Sequence, residues 1–254
     1  MSYIRIITLV ISVFTFPALN SQIILLDKKH LKKEKSLLQK SILPVSIIIS
    51  GAALSKSFFE KNLQKDIRKF AGNNFHSSIE DYTRYAPIIE LYAADILNIK
   101  AKNHWFDQTK NLTMSILITD FITYKLKRGI KKERPGSTIT HPSYESFPSG
   151  HTSFAFANAS VLYQEFKDSN KILAYSGYAF AITTGSFRML NNAHYLSDVL
   201  VGAGIAILVT ELIYHFEPIK WNPFKKKENI TFVPKIGRDD FGKENYGLYF
   251  NIRF

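Results

Sequence analysis

An all-α helical bundle followed by a short β-hairpin is the fold class this sequence predicts, on three observations. Apolar residues recur at three- and four-residue spacing through most of the chain from Phe58 to Phe216. Pro and Gly gather in one internal stretch, Gly129 to His151, which breaks the helical pattern with a loop. Beyond Lys227 the apolar period changes to two. The 254 residues suffice for one good-sized domain with a buried core, and 20 Phe with 13 Tyr argue against extensive disorder. A formal charge of +12 suits anionic partners such as phosphorylated substrates or acidic lipid surfaces. Nucleic acid has only that net charge behind it and is not expected as a partner. With no cysteine, disulfides and thiolate zinc sites are excluded.

At the amino terminus, Arg5 precedes the apolar run Ile6 to Phe16, and Pro17, Asn20, Ser21 and Gln22 follow. Residues 1–21 therefore read as a secretory signal peptide, with export to the periplasm or cell envelope expected. An uncleaved anchor is the rival reading, weakened by those polar residues. Residues 22–56 read as a basic linker, Lys28 to Lys35, leading into a short apolar helix, Ile42 to Ser55.

Residues 57–220 read as the bundle. Phe59, Leu63, Ile67 and Phe70 mark an amphipathic surface helix. Ser77-Ser78-Ile79-Glu80 has the form of a capping box. Ile88, Ile89, Tyr92, Ile96 and Ile99 mark one face of the next helix. Leu112 to Lys127 reads as a helix stopped by Gly129. Three more are expected at His151–Phe166, Ile172–Phe187 and about Tyr195–Phe216.

The Ile42, Leu112 and Ile172 segments fall short of the ~20 residues a membrane span needs. The last helix is long enough but holds Asp198, Glu211 and His215. A compact bundle with some membrane-seeking surface is expected, with contact to a membrane surface. In residues 228–254, Tyr246, Leu248, Phe250, Ile252 and Phe254 alternate with Gly247, Tyr249, Asn251 and Arg253. Ile230, Phe232 and Ile236 supply a partner strand, so this tail reads as an accessory β-hairpin.

Three clusters carry the chemistry. Lys127 and Arg134-Pro135 form the first, Pro148-Ser149-Gly150-His151 the second, and Arg188, His194 and Asp198 the third. Arg grips phosphate through paired N–H donors, whereas Lys acts as a compact point charge. A Ser-Gly turn opening a helix presents backbone N–H groups at a positive dipole end, which suits an anion. His194 and Asp198 are four apart, so on a helix they would share a face and touch. Singly, each feature is more often surface, cap or structural hydrogen bond; together they form the inventory for holding and cleaving a phosphate ester.

The three clusters resemble the signature of the type 2 phosphatidic acid phosphatase and vanadium haloperoxidase superfamily. That signature is Lys, six residues, Arg-Pro; then Pro-Ser-Gly-His; then Ser-Arg, five residues, His, three residues, Asp. Phe187 stands where the family usually has Ser, which removes one hydroxyl contact. The resemblance implies the acid phosphatase and haloperoxidase type of bundle. It also implies His194 as nucleophile, forming a phosphohistidine, with Asp198 orienting its ring and raising its basicity. His151 would protonate the leaving oxygen and then activate water. Lys127, Arg134, Ser149, Gly150 and Arg188 would bind the phosphate oxygens.

Three cations around three oxygens would serve where other phosphatases use metal ions, so no cofactor and no metal are expected. The expected activity is hydrolysis of a phosphate monoester or diphosphate, of a lipid in preference to a small soluble ester. A soluble-substrate acid phosphatase and a vanadate-dependent haloperoxidase are the alternative enzymes, and a non-catalytic anion-binding protein is the alternative outside enzymology. His141 lies in the loop as a candidate substrate contact. His30, His76, His104 and His215 read as surface or helix-end residues, and Asn191 and Asn192 as shapers of the turn before His194.

Overall fold

A computed structural model describes residues 36–138, 140–216, 230–238 and 244–252, the last two stretches as backbone. The expected signal peptide and the Lys28 to Lys35 run lie outside the described residues. Eight helices are described: α1 (Leu37–Leu54), α2 (Phe58–Ala71), α3 (Ile79–Thr83), α4 (Ala86–Ile96), α5 (Trp105–Ile130), α6 (Gly150–Phe166), α7 (Lys171–Leu190) and α8 (Leu196–Phe216).

Helix α6 forms the centre. Ala155, Ala157, Ala159, Val161, Leu162 and Phe166 along it are all sealed from solvent. Its alanines let α5, α7 and α8 approach closely, while Leu162 and Phe166 join Leu91, Val201, Ile205 and Tyr214 in the main core cluster. Each such large side chain contributes about 1.5–3 kcal/mol by leaving water. Gly202 of α8 lies so close to the start of α6 that a Cβ there would stand 2.8 Å from the carbonyl oxygen of Ser149. A side chain at that position would push the second motif off the helix that carries Asp198.

Several boundaries differ from the sequence expectation, each for a local reason. Helix α5 starts seven residues earlier than Leu112, because His104 accepts from the N–H of Phe106 and opens the helix. It runs through Gly129 to Ile130 and is capped by Lys131, which takes the left-handed conformation at φ 48°. Helix α1 starts at Leu37 rather than Ile42, where Ser36 and Gln39 form a reciprocal capping box.

The capping box expected at Ser77 to Glu80 does not form. Ser78 makes no side-chain cap, and Glu80 turns inward. On α2, Leu63 and Ile67 are buried as expected, but Phe59 and Phe70 are exposed and the polar Glu60 and Gln64 are buried instead. Hydrogen bonding across to other elements outweighs the apolar periodicity there.

Helices α1 and α8 are both long and apolar enough to cross a membrane by length and composition. Their surroundings differ: the apolar window of α8 is 78% buried, that of α1 only 11%. Helix α8 is thus the core helix, with α1 laid along it and Leu38, Ile42 and Ile49 facing outward. The described residues beyond 219 belong to a second unit. Within it β1 (Ile230–Arg238) and β2 (Glu244–Ile252) run antiparallel, Ile230 opposite Ile252 and Arg238 opposite Glu244. The fold class rests on the helices.

Candidate active site

The site is built where the end of α5, the start of α6, the end of α7 and the start of α8 meet. Asp198 is its hub. Ser146 Oγ donates to Oδ2 at 2.5 Å, the N–H of Tyr195 donates to the same oxygen at 2.9 Å, and Lys132 Nζ lies 2.9 Å from Oδ1. The Asp198 carbonyl oxygen accepts from the N–H of Ser149 at 3.0 Å, which ties the second motif to the third. Burial opposes charge on Asp198, but His194, Lys132 and Ser146 outweigh it and hold the carboxyl at about 2.

His194 is 1% exposed. It sits in the turn before α8, not on the helix with Asp198 as the four-residue spacing suggested. The two meet because Asp198, in the first turn of α8, reaches back to cap the N–H of Tyr195. His194 Nδ1 stands 3.5 Å from Asp198 Oδ2, an ion-pair distance longer than a formed N–H···O bond. Burial depresses the imidazole to about 3, against the pull of Asp198. The ring is therefore neutral at physiological pH, and with Nδ1 turned to Asp198 the nitrogen left for chemistry is Nε2.

Three cations gather around this dyad. A Cβ on Gly150 would come within 3.8 Å of Lys127 Cε, so the Lys127 side chain crosses the first turn of α6. Lys127 Nζ donates to the carbonyl oxygen of Glu145 at 2.7 Å. Burial, then the positive field of Arg134, lowers its ammonium to about 8. Arg188 Nη1 donates to Glu80 Oε1 at 3.1 Å. Arg134 and Arg188 each keep a buried Nε–H with no acceptor among the described residues, a donor that a tetrahedral anion can take. The first turn of α6 adds the N–H groups of a helix start, where Ser149 makes no side-chain cap. The Ser149 hydroxyl oxygen is fully buried and accepts from Thr152 at 2.9 Å.

His151 is partly exposed, and its Nε2 lies 3.1 Å from Asp81 Oδ1. Burial and the charges of Arg188 and Arg84 lower its pKa, while Asp81 raises it. His141 stays on the exposed loop, its N–H bonded to Thr138. Asn191 fixes the turn by bonding both backbone groups of Ser77, and Asn192 takes a left-handed φ of 56°. A Cβ on Gly136 would lie 2.8 Å from the Asn192 carbonyl oxygen, so the loop carrying Arg134 packs directly on the His194 turn.

Sequence reading missed the groups that hold these residues in place. Lys132 is buried, bonded to Glu60 at 2.9 and 3.0 Å, to Ser197 Oγ at 2.7 Å and to Asp198. Glu60 also accepts from the N–H of Ser197 at the start of α8. Glu80 receives Arg188 and Asn191 together. A basic residue between Lys127 and Arg134 was visible, but nothing in its spacing told Lys132 from its solvent-facing neighbours. Among the described residues no group of three or more His, Asp and Glu is placed to hold a metal ion.

Residues 108–221 match the family model of the PAP2 superfamily, the superfamily that the three motifs resemble. A lipid A 1-phosphatase of Porphyromonas gingivalis is 28% identical over 176 residues, covering 69% of this chain. The chain spans 38% of the length of that relative. Among solved structures, Aquifex aeolicus LpxE aligns over 60% of this chain and 94% of its own, with 21% identity and a TM-score of 0.44. A transmembrane PAP2-type phosphatidylglycerolphosphate phosphatase from Bacillus subtilis aligns over 72% of this chain and 99% of its own, with 16% identity and a TM-score of 0.47.

Proposed function

We propose that this chain is a phosphoric-ester hydrolase that removes phosphate from a lipid at a membrane surface, without a metal ion, through a phosphohistidine. The observation that carries the reading is the convergence of Lys127, Arg134 and Arg188 on one neutral, carboxylate-backed imidazole, His194. Binding an anion calls for the cations; it does not call for a buried imidazole with its Nδ1 turned to an ionised carboxylate.

In the first half-reaction, His194 Nε2 forms an N–P bond as the ester P–O bond breaks. His151 delivers a proton to the departing oxygen. In the second, water forms a P–O bond while the N–P bond breaks, and His151 takes the proton from that water. Lys127, Arg134, Arg188 and the first-turn N–H groups of α6 stabilise the equatorial oxygens, where positioning and charge supply most of the acceleration. The Ser149 hydroxyl proton completes this set.

A lipid substrate is supported by the outward apolar face of α1 and by the lipid A 1-phosphatase relative. Phe121 and Leu117 on α5, both more than half exposed, add further apolar surface. We read residues 1–21 as a signal that exports the chain to the periplasm or envelope, and the tail as an accessory β-hairpin. Purified protein assayed in detergent for phosphate release, with and without chelator, tests the reading. Release from a lipid phosphate that persists in chelator and is blocked by vanadate is expected. Halide oxidation in vanadate and peroxide, or activity that returns only with magnesium, would replace it.

A further inference from the structure

The side chain of His151 meets a carboxylate that has no part in the two half-reactions as written. Asp81 Oδ1 lies 3.1 Å from His151 Nε2. A carboxylate only accepts, so the ring nitrogen facing it carries a hydrogen. That commits Nε2 to Asp81 and leaves Nδ1 for the departing oxygen. Asp81 thus stands to His151 as Asp198 stands to His194.

Its placement is fixed from several sides. Helix α3 has only five residues, yet the neighbours Glu80 and Asp81 serve two different residues of the site. Successive side chains on a helix point about 100° apart. Glu80 therefore turns inward to Arg188, while Asp81 turns to the first turn of α6. Thr83 Oγ1 is 2.8 Å from Thr184 Oγ1 of α7, and the buried Asn158 of α6 donates to the carbonyl oxygen of Arg84 at 3.1 Å. Arg84 in turn donates to the Asp81 carbonyl oxygen, and its Nη2 sits 3.8 Å from Oδ1. A half-exposed carboxylate three residues from an arginine is ordinarily a solvated pair worth little. Here the same oxygen also faces an imidazole that the reaction needs in both charge states.

The other charged groups around that imidazole are positive. They are Arg84 beside α3, Arg188 of α7, and Lys127 of α5, which crosses the same turn of α6. Asp198 of α8 faces His194 instead. Burial and the two arginines make His151 harder to protonate, and Asp81 opposes them.

We infer that Asp81 is the positioning residue of the acid–base histidine, holding the His151 ring so that Nδ1 delivers and recovers the proton. The inference rests on the phosphatase reading above and adds a residue to it. In the first half-reaction the Nδ1 proton passes to the leaving oxygen as the N–P bond forms and the ester P–O bond breaks. In the second, Nδ1 takes a proton from the attacking water. Asp81 stays ionised through both, with Nε2–H donating to it.

The test uses full-length protein in detergent micelles and two esters. The leaving oxygen of an alkyl phosphate must be protonated; that of p-nitrophenyl phosphate departs as the anion. Asp81→Asn keeps the side-chain shape and removes the charge, and at a half-exposed position it should melt with wild type. It is expected to lower kcat/KM about tenfold for the alkyl ester and distinctly less for the nitrophenyl ester. For the alkyl ester, the fall in kcat/KM as His151 loses its proton should begin about half a pH unit lower than in wild type. Equal losses for the two esters, or a fall that does not move, would overturn the assignment. Should wild type hydrolyse neither ester, the phosphatase reading fails, and NMR titration of labelled histidine decides the pair. A His151 midpoint at lower pH in Asp81→Asn supports it; an unchanged midpoint rejects it.

Discussion

Lys132 Nζ lies 2.9 Å from Asp198 Oδ1, and both side chains are sealed from solvent, at 4% and 0% exposure. The same ammonium sits 2.9 Å from Glu60 Oε1 and 4.5 Å from the centre of the Tyr195 ring. One cation thereby joins α2, the loop after α5 and the first turn of α8. It is the post against which the Asp198 carboxylate, and through it His194, is set.

Replacing Lys132 by Met should therefore do more than remove a contact. It leaves Glu60 and Asp198 as buried carboxylates without their cation, a loss of about 3–5 kcal/mol in stability. Denaturation of the variant in detergent reads this directly. Glu60→Gln, which keeps the hydrogen-bonding shape and one carboxylate for Lys132, should cost less. A Lys132→Met protein as stable as wild type would show that the bridge is not the support described.

Lys127 gives a pH signature. Its ammonium is held at about 8, chiefly by burial and by Arg134, so its charge is present below that value and lost above it. KM should be flat up to about pH 8 and climb beyond it. Lys127→Arg keeps the charge to far higher pH and should erase the climb. KM measured from pH 6 to 10 for both proteins is the check.

Arg188 is oriented by Glu80, to which it donates at 3.1 Å. Arg188→Ala should lower kcat/KM by about 10²–10³-fold, the range for losing one preorganised donor to the reacting oxygens. Glu80→Gln retains a hydrogen-bond acceptor but not the charge, so a smaller loss is expected. Steady-state kinetics of the two variants rank them, and a larger loss from Glu80→Gln would contradict this order.

His194 also bears on stability. Its folded pKa of about 3 lies below the ~6.5 of an unfolded histidine. Between those values the unfolded chain binds the extra proton, so stability falls as pH drops from about 6.5 towards 3, by up to ~1.4 kcal/mol per pH unit. A His194→Gln variant should show a shallower fall over this window. Thermal melts at pH 4, 5, 6 and 7 measure the difference in slope, and identical slopes would place the imidazole in water.

The three motifs and most helices were legible because each signal is local. Apolar spacing marked α6, α7 and α8 to within a few residues, and Pro148 to His151 stood out as a turn before a helix. The supports were not legible, because they depend on chain segments far apart in sequence. Glu60 meets Lys132 across 72 residues and Ser197 across 137. Glu80 looked like a local cap because Ser77 lies three residues before it, yet its partners are Arg188 and Asn191. The His194–Asp198 spacing pointed to the right pair by the wrong route, since a helix cap rather than a shared helical face brings them together.

Acid-labile, alkali-stable label on His194 is the most direct measurement of the account. Substrate carrying 32P is mixed with enzyme, quenched with alkali during turnover and mapped to a peptide. The account predicts label on the peptide containing His194 in wild type, none in His194→Ala, and no change with chelator present. Label on another residue, or His194→Ala protein that still turns over at the wild-type rate, would contradict it.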